Sequence, residues 1–115
     1  MSKRDPCLFL TDILEAIERI EEYTEGYDFE TFVKDRKTVD AVLRNLEIIG
    51  EAAKNIPESI REKYSSIPWR RVVGLRNVVV HHYFGVDLSV VWVIVSSQIG
   101  ELKEEVERII QGGEC

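Results

Sequence analysis

The sequence is poor in the residues that most readily announce a function. Its two cysteines, Cys7 and Cys115, lie near opposite ends of 115 residues, with neither metal-ligand nor redox spacing. They read as free thiols with no assigned chemistry. The seven glycines form no phosphate-cradling loop, and no serine stands in a nucleophile-elbow context. This excludes the common signatures of nucleotide hydrolysis and acyl transfer. The only histidines, His81 and His82, are adjacent, and no further ligand motif accompanies them, so neither a metal site nor a cofactor is expected. No stretch approaches the roughly 18 to 20 apolar residues of a membrane span, and Met1 to Pro6 is not followed by a signal-peptide core. A cytoplasmic location without a membrane partner is the expectation. A net charge of −6 argues against a protein that coats nucleic acid through a broad basic surface.

What is present is a well-proportioned globular chain. Hydrophobic residues make up 44% and charged residues 31%, a balance that lets 115 residues bury one core, so residues 1–115 are read as a single domain. After Asp5-Pro6, a cap and a proline suited to a first helical position, apolar residues recur at Phe9, Ile13, Ala16, Ile20 and Tyr23, with Leu10, Leu14 and Ile17 beside them. This predicts an amphipathic helix that ends before Gly26. Asp28 caps a short helix through Phe29 and Val33. Over 38–55, Val39, Val42, Leu46, Ile49, Ala53 and Ile56 alternate steps of three and four, the seam of a helix packed lengthwise on another. Gly50 and Ala53 let the partner approach closely.

Beyond the break at 55–59 and a short helical turn, Pro68 opens the next element. The valine-rich stretch 72–80 fits either strand or buried helix by periodicity, and its flanking proline, glycine and length favour helix. A final long helix, capped by Asp87 and closed by Gly112-Gly113, carries Trp92, Val95, Ile99, Leu102, Val106 and Ile109. Its first part, 86–99, is apolar nearly all round, as a central helix or an oligomer face would be. The expected fold is all-α, a bundle of four main helices plus one or two short ones.

The polar residues that stand out are Arg76, Asn77, His81, His82 and Tyr83, set among valines. An arginine there calls for a partner, because burying an unpaired charge costs several kcal/mol. Between 61 and 86 the ionised residues are Arg61, Glu62, Lys63, Arg70, Arg71 and Arg76, a basic window in an acidic chain that could attract an anion or merely be solvated. On a continuous helix Arg76 and His81 lie about 140° apart around the axis, so they converge only if the helix ends near His81 or two copies meet. Near a helix end, carbonyl dipoles favour the imidazolium. A histidine and an arginine can together supply the base, acid and phosphate-stabilising cation of metal-independent RNA cleavage. The spacing alone is weak. Glu47 and Glu51 read as solvated acids, or one of them as the partner of an arginine across a dimer; Asp40 and Arg44 read as an i,i+4 pair. Trp69 and Trp92 read as core anchors.

Taken whole, 76–87 (Arg-Asn-Val-Val-Val-His-His-Tyr-Phe-Gly-Val-Asp) resembles the signature of HEPN-domain proteins of the HepT toxin family: arginine, four residues, histidine, any residue, tyrosine. Arg76, His81 and Tyr83 match it, and Asn77 matches the residue that often follows the arginine. The likeness extends to 46–54, Pro68-Trp69 and Val91-Trp92, covering nearly the whole chain. His82 departs from the small residue, commonly glycine, found in relatives, which leaves open which imidazole sits closest to substrate. The resemblance implies a HEPN-type helical bundle that forms a homodimer, with Arg76 and His81 catalytic in an interfacial cleft that cleaves RNA. It further implies Asn77 as a positioning residue, His82 as an auxiliary imidazole, and Tyr83 as the acceptor of AMP from an MntA-like nucleotidyltransferase antitoxin. The alternative is a non-catalytic subunit that binds or regulates a nucleotidyltransferase, favoured by the acidic charge.

Overall fold

The computed structural model describes residues 5–83 and 87–114, the side chains of 80–83 and 113–114 lying outside the description. All regular structure among the described residues is helical, as the apolar spacing predicts. The first helix, α1 (Pro6–Thr24), begins where the Asp5 carboxylate accepts the Cys7 N–H at 2.9 Å, with proline in the first turn. It buries Leu10, Ile13, Ala16, Ile17 and Ile20. Tyr23, assigned to that stripe by spacing, is exposed instead, in the last turn of the helix, just before the chain turns at Gly26, whose φ of 77° only glycine adopts without strain.

Cys7 is half of a disulfide, which corrects the expectation of two free thiols; Cys115 lies outside the described residues. Spacing along the chain excludes metal and redox motifs but does not bear on whether Cys7 is bonded.

The short α2 (Phe29–Lys34) is capped by Asp28 and buries Phe32 completely. Asp35 then ends α2 and starts α3 (Arg36–Lys54), accepting from the Thr38 N–H at 3.1 Å and from the Thr38 hydroxyl at 2.7 Å. The Tyr27 hydroxyl donates to the same carboxylate at 2.6 Å. These bonds hold its pKa below the ordinary carboxylate range, the Tyr27 bond contributing most.

Helix α3 is the spine of the fold. All six seam residues that spacing predicts are buried, and α1 packs along one side of it while α5 (Trp69–Val73) and α6 (Leu75–Tyr83) pack on another. Between them α4 (Glu58–Lys63) turns the chain, and Trp69 Nε1 donates to the Tyr64 carbonyl at 3.2 Å, which anchors the start of α5. The stretch predicted as one helix through the valines is therefore two pieces meeting at Gly74.

The last helical rod comprises α7 (Leu88–Val93), a π-helical turn (Ile94–Gln98), α8 (Ile99–Ile109) and a second π-helical turn (Ile110–Glu114). Gly112 lies inside this rod rather than closing it. Asp87 caps its start by accepting from the Ser89 N–H at 2.8 Å. Val91, Ile94, Val95, Ile99, Leu102, Val106 and Ile109 are buried. Trp92 is half-buried and packs its ring on Phe32, centroids 5.1 Å apart. Lys103 ties this rod to α1 through Glu21 at 2.9 Å.

Candidate active site

Helix α6 carries every residue singled out by the sequence motif. Leu75 and Val79, four apart, are buried and fix which side of the helix meets the core. Asn77 is exposed, and the Arg76 side chain is 42% accessible, so the arginine is not buried among valines as its neighbours suggested. Positions 76 and 77 fall off the stripe defined by 75 and 79.

The partner that Arg76 requires lies within the same chain. Its Nε sits 3.0 Å from Glu51 Oε2 on α3. Sequence reasoning offered solvation for Glu47 and Glu51, or an arginine across a dimer for one of them; both are half exposed, and within the chain Glu51 pairs with Arg76 and Glu47 with Arg44 at 3.2 Å. Arg44 thus turns forward to Glu47 rather than back to Asp40. The helices come this close because position 50 has no side chain. A Cβ at Gly50 would lie 2.6 Å from Arg76 Cγ and 3.0 Å from both the Arg76 nitrogen and the Val73 carbonyl oxygen.

His81, His82 and Tyr83 occupy the last turn of α6, and their side chains lie outside the described residues. The backbone remains helical through Tyr83, so it does not break before His81. Positions 76 and 81 are therefore separated by about 140° around a single helix axis.

The basic window divides by role. Arg61 is structural: Nε donates to the Ile56 carbonyl at 3.0 Å, and Nη2 to those of Ala53 at 2.8 Å and Lys54 at 3.2 Å, closing the C-terminal end of α3. Arg70 and Arg71 are exposed. Arg71 borders a hollow of about 170 Å³ between α5, α6 and the last rod, floored by Val72, Leu75 and Leu102 and rimmed by Gln98 and Glu101. Among the described residues no group of three or more His, Cys, Asp or Glu side chains comes together as a metal site requires, and no helix is long and apolar enough to cross a membrane.

Comparison with known proteins agrees with the motif. The family described as "Ribonuclease HepT-like" matches residues 13–109. The chain is 48% identical over 107 residues to "Probable ribonuclease HepT" of Thermococcus cleftensis, covering 93% of this chain and 97% of that protein. It is 45% identical over 107 residues to "Putative RNase MJ1380" of Methanocaldococcus jannaschii, covering 93% and 98%. A second protein of that organism, "Putative RNase MJ0127", is 43% identical over 111 residues, covering 96% and 92%. No solved structure gives a significant match. A helical fold built on α3, a solvent-facing arginine on α6 and end-to-end similarity to these relatives lead to one conclusion: the chain belongs to the HepT-like ribonuclease family.

Proposed function

We propose that the protein is a metal-independent endoribonuclease whose site is shared between two copies at a dimer cleft and built on Arg76 and His81. The observation that carries this reading is the position of Arg76. Its guanidinium reaches solvent on the outer side of α6, five residues before a histidine in the helix's last turn. In the proposed reaction an imidazole takes the proton of the ribose 2′-hydroxyl, and the 2′-oxygen attacks phosphorus. The bond to the 5′-oxygen breaks as that oxygen is protonated, leaving a 2′,3′-cyclic phosphate and a 5′-hydroxyl. Arg76 stabilises the charge that builds on the phosphoryl oxygens. His81 is the acid–base group, His82 an auxiliary imidazole, and Asn77 positions substrate.

A homodimer accommodates the 140° separation, since the arginine of one copy can face the histidine of the other. Val90 and Val93, on α7, are 46% and 52% exposed, and the pair supplies an unpartnered apolar strip suited to such an interface.

The same site supports the role of toxin in a toxin–antitoxin pair. An MntA-like nucleotidyltransferase would transfer AMP from ATP to Tyr83: the tyrosine oxygen attacks the α-phosphorus and pyrophosphate departs. The added phosphate, seven residues from Arg76 on the same helix, would occupy the cation and exclude RNA.

The test is cleavage of an oligoribonucleotide in chelator-containing buffer by the parent, Arg76→Ala and His81→Ala. Both variants should lose cleavage while melting like the parent. Parental cleavage by both overturns the assignment. A tight complex with a nucleotidyltransferase and no RNA turnover would favour the non-catalytic subunit instead.

A further inference from the structure

We infer that Gly50 and Glu51 of α3 form a seat for the Arg76 side chain and act as positioning residues for it, an inference that rests on the ribonuclease reading above. The two residues are consecutive and hold different parts of the arginine. Its stem lies where α3 has no side chain, since a Cβ at Gly50 would fall 2.6 Å from Arg76 Cγ. Its head is held one residue on, where Glu51 Oε2 forms an ion pair with Nε at 3.0 Å.

The choice of Nε has a chemical consequence. A guanidinium carries five N–H donors, and the Glu51 carboxylate approaches it on the Nε side, where there is a single one. The four on Nη1 and Nη2 form the end-on fork that can make two parallel hydrogen bonds to the oxygens of one phosphate. Glu51 thus fixes the direction of the guanidinium without occupying its phosphate-binding edge. Glu47, the acid one turn earlier on α3, is engaged by Arg44. An ion pair with side chains 42% and 53% exposed adds little to fold stability. Its effect is therefore to be sought in turnover.

The experiment is steady-state cleavage of an oligoribonucleotide by the full chain carrying Glu51→Ala, Glu51→Gln or Gly50→Ala, with Arg76→Ala as control. Glu51→Ala should lower kcat by about tenfold or more, because small misplacements of a catalytic group are costly, while KM stays within about twofold. Glu51→Gln keeps a polar oxygen of the same reach beside Nε and should recover most of the turnover. A purely structural role would give neither the split between kcat and KM nor this recovery. Gly50→Ala should also lower kcat; because its methyl meets backbone atoms as well, thermal melting checks its fold and the Glu51 variants decide. Parental or raised turnover in Glu51→Ala, or equal losses in Glu51→Ala and Glu51→Gln, overturns the seat. A dead Arg76→Ala beside a parental Glu51→Ala removes the seat alone, whereas full cleavage by Arg76→Ala overturns the seat and the assignment of Arg76 together.

Discussion

The Arg61 guanidinium donates to the Ala53 carbonyl at 2.8 Å, so an arginine that charge counting assigns to an anion-attracting window serves to finish a helix. Its further bonds to Lys54 and Ile56 satisfy carbonyls that the end of α3 would otherwise leave to water.

Replacing Arg61 should therefore cost stability rather than activity. Arg61→Ala is expected to lower the unfolding free energy by about 1–3 kcal/mol, the usual worth of hydrogen bonds to a charged group. Arg61→Lys should recover only part, since one ammonium cannot reproduce the planar fork. Urea denaturation measures both.

If the cleft is shared between copies, Arg76→Ala and His81→Ala chains should rescue each other. Each variant alone would be inactive, but a mixed dimer pairs the intact arginine of one chain with the intact histidine of the other. Co-refolded mixtures should regain a fraction of parental cleavage. Mixtures as inactive as either variant would place both groups in one subunit.

Val93→Glu introduces a charge into the exposed valine pair of α7 without touching the core. It should shift the protein towards monomer in sedimentation or light scattering and lower cleavage in parallel. An unchanged oligomeric state would move the interface elsewhere.

Asp35 predicts a pH dependence. Its carboxylate receives hydrogen bonds from Tyr27 and twice from Thr38, which lower its pKa in the folded chain. The sign follows from linkage: stabilisation is fully present above the unfolded pKa and is lost as pH falls through the lower folded value. Asp35→Asn should melt earlier than the parent at neutral pH, and the difference should shrink in acid below the ordinary carboxylate range. Melting curves collected from neutral to acid pH check it.

The long-range architecture was written in side-chain spacing. The seam from Val39 to Ala53 on α3, with Ile56 just beyond it, and the series Val95, Ile99, Leu102, Val106 and Ile109 all lie in the core, because burial on one helix face demands that spacing and little else produces it. The break at Gly74 was harder to see, since valines serve helix and strand alike and one glycine inside a helical run does not specify a stop. Glu51 was visible as an acid but not as the partner of Arg76. That pairing depends on how α6 crosses α3 over Gly50, a tertiary relationship carried by no local pattern. The disulfide at Cys7 escaped for the same reason. Conversely, the arginine–histidine–tyrosine motif was legible, whereas the fact that Arg76 reaches solvent required the fold.

The π turn at 94–98 bears on how chain length can vary in this fold. The Ile99 N–H donates to the Ile94 carbonyl, and the hydroxyls of Ser96 and Ser97 donate to the Trp92 and Val93 carbonyls at 2.7 Å each, so a helix with one residue more than its rise requires remains satisfied. Removing a residue there would let the helix relax to ordinary α pitch with α7 and α8 still in register. The same deletion inside α8 would rotate part of the stripe from Ile99 to Ile109 by about 100° and bring charged residues into the core. The turn at 94–98 is thus a place where a single-codon deletion is absorbed locally, beside the hollow bordered by Arg71.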